Sequence, residues 1–286
     1  MKWAVYKTFA LLYLMIVTFC LFFVGIFQNY IHANIWLVVL AVFLAAIPVA
    51  VLVLKLLLKR QMSKPGARLH KEFMDELWKN GYTQRFFELG EQAINEHKNG
   101  QTIDLAYLMD FVLYQCDYFN LIDRYDVVFS LLSLLDKKEI ASKSTRFLDG
   151  GYYIVMYYAT CMEACRGTGN KVLAQQIIEE GKPFLDKQYK MEVLSMVADA
   201  TVYTYYILNG NYEMARKCVD KIMSYRSVQA QKFFTKYYIA AEMNMILGNR
   251  TGAIEMLEQG KRIVGDGSAL INQVFELYKA KLRING

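Results

Sequence analysis

The chain is poor in residues that bind metals or form disulfides. Its 286 residues include three histidines, His32, His70 and His97, and five scattered cysteines. Cys161 and Cys165 lie four positions apart, which is not the C-x-x-C spacing of a zinc or redox site. The sequence therefore predicts no metal and no cofactor, and it predicts reduced cysteines that serve as small core residues.

Motifs that mark common catalytic sites are also missing. The chain has no G-x-S-x-G, no H-E-x-x-H and no Walker-type loop. The segment 167–170 (Gly-Thr-Gly-Asn) lacks the lysine of a phosphate-binding loop and is better explained as a turn between helices. Glu179, Glu180 and Asp199 have no partner at a spacing that creates an acid–base pair. We predict that the protein is not an enzyme; an enzyme whose site these motifs do not reveal is the less favoured alternative.

Acidic residues are absent from positions 1–71, which carry eight basic residues. Residues 72–286 hold 25 basic and 27 acidic residues, so the net charge of +6 arises entirely from the N-terminal quarter. A segment with a slightly negative charge and no basic stripe offers no electrostatic footprint for a phosphate backbone. The sequence therefore predicts no nucleic-acid partner.

The N-terminal quarter contains two uncharged apolar runs, Thr8–Phe27 and Ile35–Leu54, of 20 residues each. A helix of about 20 residues crosses a hydrocarbon core of about 30 Å. We predict that residues 1–62 form a transmembrane hairpin with spans at about 8–27 and 35–54, so that the lipid bilayer is one partner. A cleavable signal peptide is the alternative for the first run, but that run exceeds the usual apolar length and a second run follows at once.

Basic residues predict the orientation of this hairpin. Lys2 and Lys7 precede the first run, six basic residues follow the second, and the loop 28–34 has neither Lys nor Arg. Because short basic segments stay in the cytoplasm, both termini are expected inside a multi-pass plasma-membrane protein. Few prolines with many Lys, Asn, Ile and Tyr residues are typical of a bacterium with an AT-rich genome.

Small residues recur along the second run at Ala41, Ala45, Ala46 and Ala50. Such spacing lets helix backbones approach closely in lipid. The alanines are expected to pack either against the first span or against another membrane protein. Neither run has an Asp, Glu, Arg or His in its interior, so an ion path is not expected.

Beyond the apolar runs, the pattern is that of a helical domain. Residues 63–67 include Pro65 and Gly66, which predict a linker before a cytoplasmic domain at 68–286. Alternating strand patterns are absent, and helical stretches alternate with short Gly, Asn or Asp breaks. We predict an all-α domain with helices at about 68–79, 82–98, 102–118, 121–137, 139–147, 151–166, 170–186, 190–208, 211–225, 228–247, 250–264 and 268–284.

A degenerate repeat organises the second half of this domain. Gly169-Asn170, Gly210-Asn211 and Gly248-Asn249 each end one helix and begin the next, and an alanine follows each glycine after five residues. The stretch Leu208–Ala215 resembles the turn between the two helices of a tetratricopeptide repeat, although the pairs lie 41 and 38 residues apart instead of the usual 34. The resemblance implies an α-solenoid of about six antiparallel hairpins.

The resemblance also implies a binding groove lined by the first helix of each hairpin. Tyrosines are common on these helices and either line the groove or pack between helices. Alignment on the three glycines gives the expected groove residues: Met156, Ala159, Thr160, Glu163, Val197, Ala200, Thr201, Thr204, Thr235, Tyr238, Ile239 and Glu242. This apolar, hydroxyl and acidic surface is expected to prefer an apolar or basic segment over an acidic tail.

These observations predict a membrane-anchored protein–protein interaction scaffold or adaptor. Its groove would bind an unidentified cytoplasmic protein or peptide. The alternative is an accessory subunit of a membrane transport, secretion or envelope-synthesis complex, which docks through the transmembrane helices onto another membrane protein.

Overall fold

The computed structural model describes residues 2–27, 35–144, 151–265 and 267–284. Within these ranges every regular element is a helix, which confirms the predicted all-α class for this part of the chain. The chain divides into two compact units, Met1–Ala67 and Arg68–Gly286. The division falls at the end of the predicted linker 63–67, and the predicted outer loop 28–34 lies outside the described residues.

The first unit contains the helices α1 (Lys2–Phe27) and α2 (Ile35–Met62). By length and composition, the segment Val38–Leu57 of α2 is able to cross a membrane. In α1, the apolar segment found among the described residues is Phe9–Phe22. As a helix this segment rises only about 21 Å. The described residues therefore contain one candidate span where the sequence predicts two, and the first span stays a prediction.

The four alanines of α2 do not share one environment. Helices α1 and α2 contact each other, and the Tyr13 hydroxyl lies 3.3 Å from the carbonyl oxygen of Phe43 as its hydrogen-bond donor. Ala46 and Ala50 are buried, whereas Ala41 and Ala45 are exposed. The predicted small-residue surface is therefore divided between a packed side and an open side of α2.

The second unit contains thirteen helices in its described residues. They are α3 (Ala67–Asn80), α4 (Gln84–Lys98), α5 (Leu105–Leu121), α6 (Tyr125–Leu132), α7 (Lys137–Ser144), α8 (Tyr152–Thr168), α9 (Lys171–Leu185), α10 (Glu192–Leu208), α11 (Tyr212–Ser224), α12 (Val228–Gln231), α13 (Thr235–Ile246), α14 (Arg250–Val264) and α15 (Ala269–Lys281).

The three Gly-Asn pairs end and begin helices as the sequence predicts. Gly169, Gly210 and Gly248 have φ angles of 68°, 72° and 77°, a left-handed conformation that glycine adopts without a Cβ clash. The asparagine that follows each glycine accepts a hydrogen bond through its side chain from the backbone N–H three residues on. This contact caps α9, α11 and α14 at their first turns.

Two predicted helices, 228–247 and 121–137, differ from the structure by more than three residues, and the second is observed only as Tyr125–Leu132. The predicted helix 228–247 is split into α12 and α13, and at the break the Tyr237 hydroxyl donates to the Gln231 carbonyl at 3.2 Å. The predicted helix 121–137 begins only at Tyr125. Asp123 has a φ of 60°, which a right-handed helix does not allow.

Successive helix pairs pack side by side in the second unit. Helix α5 contacts α8, and α8 contacts α10, while α6, α9 and α11 each contact the helix before them. Helix α13 pairs with α14, and α15 contacts both α14 and α5. Ala174, Ala215 and Ala253 are fully buried, so the second helices of three pairs lie close to their neighbours at these alanines.

Candidate functional site

A cavity of about 490 Å³ lies within the second unit. Residues from α3, α5, α8, α10, α13, α14 and α15 line it, together with residues of the segments before α4, α13 and α15. Its volume falls in the range of about 300–1,000 Å³ that is typical of small-molecule sites. Most of its wall is made of apolar and aromatic side chains, with a few polar groups among them.

The cavity brings together most of the residues predicted for the groove. Met156, Thr160, Glu163, Thr201, Thr204, Thr235 and Tyr238 all line it, as do Ala159, Val197, Ala200 and Ile239. These residues come from α8, α10 and α13, the first helices of three successive pairs. These residues therefore line one cavity together, and their role in binding stays a prediction.

Glu242 is the predicted groove residue that does not line the cavity. It is buried, and its carboxylate pairs with the Arg166 guanidinium, with one N–O distance of 2.9 Å. The hydroxyls of Tyr203 and Tyr238 donate to the same carboxylate at 2.7 and 3.0 Å. Glu242 therefore joins α8, α10 and α13 through a satisfied polar network, and the carboxylate has little capacity left for a ligand.

Hydrogen-bond acceptors collect on the α5 and α8 side of the cavity. Asn120 is only 7% exposed, and its side-chain nitrogen donates to the Thr160 carbonyl at 3.4 Å. Its oxygen, Oδ1, is the one buried side-chain polar atom of the described residues without a hydrogen-bond partner. Glu163 also lines the cavity, where its carboxylate accepts a 2.8 Å hydrogen bond from Thr204.

Asp117 lines the cavity one helical turn before Asn120. Burial, and to a smaller extent the Glu163 carboxylate, raise the pKa of Asp117 from 3.8 to about 7. No Lys or Arg among the described residues contributes to this shift. The remaining acid of the wall, Asp110, is already paired with His70 at 2.8 Å. We use the name acceptor cluster for Asp117, Asn120 and Glu163.

Aromatic rings surround the acceptor cluster. Tyr82, Tyr114 and Tyr278 line the cavity, and burial is the main cause that raises the pKa of each phenol. The rings of Tyr238 and Tyr278 stack with centroids 4.1 Å apart. The faces of such rings attract cations that approach within about 6 Å.

Helix α15 closes one side of the cavity. Gln273 of this helix accepts a 2.7 Å hydrogen bond from the backbone N–H of Tyr82. Lys281 donates at 2.7 Å to the carbonyl oxygen of Asn120 and lies 3.5 Å from the Asp123 carboxylate. These contacts join residues up to 191 positions apart, so the last helix packs against the first elements of the unit.

The sequence analysis missed Asp117, Asn120 and the whole of α15 as parts of the site. One signal was present in α5: Asp110 and Asp117 lie seven residues apart, on one face of a largely apolar helix. No comparable signal predicts that α15 returns to α5, because nothing local in the sequence specifies contacts across 160 residues.

Comparison of the chain with protein-family models, curated proteins and solved structures finds no match. The five cysteines are free thiols. In the described part of the chain, no three His, Cys, Asp or Glu side chains are grouped so as to hold a metal ion.

Proposed function

We propose that this protein is a membrane-anchored interaction scaffold whose helical unit holds a segment of a cytoplasmic protein. In this proposal α1 and α2 both span the plasma membrane, and the unit Arg68–Gly286 is a tetratricopeptide-like array. The unit needs no reaction of its own, because its task is to keep a partner at the bilayer.

One observation carries the proposal. Alignment of three degenerate repeats selects positions on α8, α10 and α13, and all of these positions except Glu242 lie in the wall of one cavity. Stacked helical hairpins place equivalent helices side by side, which produces an extended concave binding surface. The apolar wall with acidic groups favours a segment that is apolar or basic.

A second candidate function is supported by the alanines of α2. Ala41 and Ala45 are exposed and lie four residues apart, whereas Ala46 and Ala50 are buried. Small residues at this spacing favour helix association in lipid. An accessory subunit would use this open side to dock onto another membrane protein.

Site-specific photo-cross-linking in living cells tests both candidates. A photoreactive amino acid at Met156, inside the cavity, is expected to give a discrete adduct with a cytoplasmic protein. The matched position Glu258 is exposed on α14 and is expected to give none. Adducts from Ala41 with a membrane protein, and none from Met156, would favour the accessory subunit and contradict the scaffold.

A further inference from the structure

The acceptor cluster has more hydrogen-bond acceptors than donors. Asn120 lines the cavity, and its buried Oδ1 has no partner, although buried polar atoms are nearly always hydrogen-bonded. The carboxyl groups of Asp117 and Glu163 line the same cavity, and each only accepts hydrogen bonds when it is ionised; for Asp117, whose pKa is about 7, ionisation is complete only above that pH. A ligand that completes this cluster must therefore donate hydrogen bonds.

The cluster is also short of positive charge. Lys281 donates a hydrogen bond to the Asn120 carbonyl and lies beside the Asp123 carboxylate. Arg166 is paired with the buried Glu242, and its charge also attracts the Glu163 carboxylate without a direct ion pair. Lys232 also lines the cavity, but its side chain is exposed to solvent. Among the described residues, therefore, no Lys or Arg forms a direct ion pair with the carboxylate of Asp117 or Glu163.

The tyrosine rings define the other half of the ligand. The side chains of Tyr82, Tyr114 and Tyr278 line the cavity, and aromatic rings pack against hydrocarbon and attract cations. An anion would be repelled by the two carboxylates, and a small hydrated ion would leave the rings without contacts. The fitting ligand has a positively charged donor group joined to an apolar body.

We propose that the acceptor cluster binds the primary ammonium or guanidinium group of a ligand, whose apolar part lies among the tyrosine rings of the cavity. The inference rests on the proposed function, since both use the same cavity. The charged group belongs either to a Lys or Arg side chain of a protein segment or to a free organic amine.

Titration calorimetry of the full chain in detergent micelles tests this inference with three kinds of probe. The first is phenethylamine, compared with its uncharged analogue 2-phenylethanol. The second is a short acetylated peptide with one lysine between leucines, compared with the same peptide carrying norleucine. The third is calcium chloride, which reports a metal site. We expect both cationic probes, or phenethylamine alone, to bind more tightly than the uncharged analogues.

Matched variants locate the binding site. Asp117→Asn and Glu163→Gln keep the side-chain size and remove one charge each, and each is expected to weaken phenethylamine binding by at least about tenfold. Asp220→Asn removes an exposed acid from α11 and is expected to leave binding unchanged. A far-ultraviolet circular dichroism spectrum verifies that each variant is folded, and Glu163→Gln replaces Asp117→Asn if the latter does not fold.

Three results would overturn the inference. These are equal affinity for phenethylamine and 2-phenylethanol, no binding of either cationic probe at millimolar concentration, or displacement of phenethylamine by calcium. The scaffold proposal fails separately. If Met156 cross-links a partner while the probes show no preference for charge, the cation site is wrong and the scaffold stands. If phenethylamine binds but the lysine peptide does not, the cation site stands and a protein ligand is contradicted.

Discussion

At the scale of single residues, Asp117 combines burial with a neighbouring carboxylate. Both effects disfavour its charged form and raise its pKa to about 7 in the folded protein, against 3.8 for a free side chain. Glu163 of α8 is the charged group that contributes to this shift. The other titratable groups nearby are Cys116 and four tyrosines, Tyr82, Tyr114, Tyr152 and Tyr278. The folded state therefore holds a proton that the unfolded state releases.

This difference makes stability depend on pH in a definite direction. Because the folded pKa is the higher one, the contribution of Asp117 to the free energy of unfolding is greatest below pH 3.8. It is lost as the pH rises to about 7, and above that pH a constant penalty remains. Between pH 5 and pH 8 the loss amounts to about 1–3 kcal/mol.

We therefore predict that Asp117→Asn raises the melting temperature of the helical unit more at pH 8 than at pH 5. Asparagine has a similar shape and no charge to bury, so the penalty at pH 8 disappears. Thermal melts followed by circular dichroism measure the difference, with the exposed Asp220→Asn as control. An equal effect of Asp117→Asn at both pH values would show that Asp117 titrates normally.

The predicted and missed site residues differ in the kind of information that specifies them. Thr160, Thr201 and Thr235 were found because a Gly-Asn turn fixes the register of each neighbouring helix, and register is a local property. Glu242 has the same register, but its side chain is held by Arg166 from another helix pair. Sequence spacing gives a position on a helix, whereas the partner of a side chain depends on packing.

At the scale of elements, the caps and the small residues determine where helices end and cross. Ala215 and Ala253 are fully buried in the first turns of α11 and α14. In the second half of the unit, the glycines therefore predict where helices end and the alanines predict where helices pack closely. The break between α12 and α13 was not predictable: a tyrosine hydroxyl from the next helix donates to the Gln231 carbonyl there. No turn residue marks that contact.

Ala253→Phe is expected to be among the most destabilising single substitutions in the helical unit. A phenyl ring at a fully buried position forces neighbouring helices apart, at a typical cost of about 1–3 kcal/mol or more. Urea unfolding of the full chain measures the change, with Thr251→Phe, exposed on the same helix, as control. If the unfolding midpoint of Ala253→Phe equals that of the parent protein, the proposed repeat register is wrong.

Helix α15 also shows that the sequence predicts a helix better than it predicts the contacts of that helix. Its bounds, Ala269–Lys281, lie inside the predicted helix 268–284, so the element was foreseen as a helix. Its contacts with Tyr82 and Asn120 were not, since they join the two ends of the helical unit. The sequence thus specifies local elements well, and the closure of the cavity depends on long-range packing.

At the scale of the whole molecule, charge is segregated along the chain. Positions 1–71 carry eight basic and no acidic residues, whereas residues 72–286 carry a small negative net charge. Basic residues flank both apolar helices, and the loop 28–34 has none. This asymmetry is the physical basis for the prediction that both ends of the chain are cytoplasmic.

Cysteine labelling tests this topology and also the first span, which the described residues of α1 leave untested. In a variant without the five native cysteines, a cysteine at Asn34 is expected to react with an impermeant maleimide on intact cells. Cysteines at Ala4 and Asp220 are expected to react only after the cells are permeabilised, because α1 and α2 then each cross the membrane once. Asn34 lies outside the described residues, and its accessibility is expected from the charge pattern alone. Labelling of Ala4→Cys on intact cells would show that α1 does not cross the membrane. Labelling of Asp220→Cys on intact cells would place the helical unit outside the cell and remove the basis for a cytoplasmic partner.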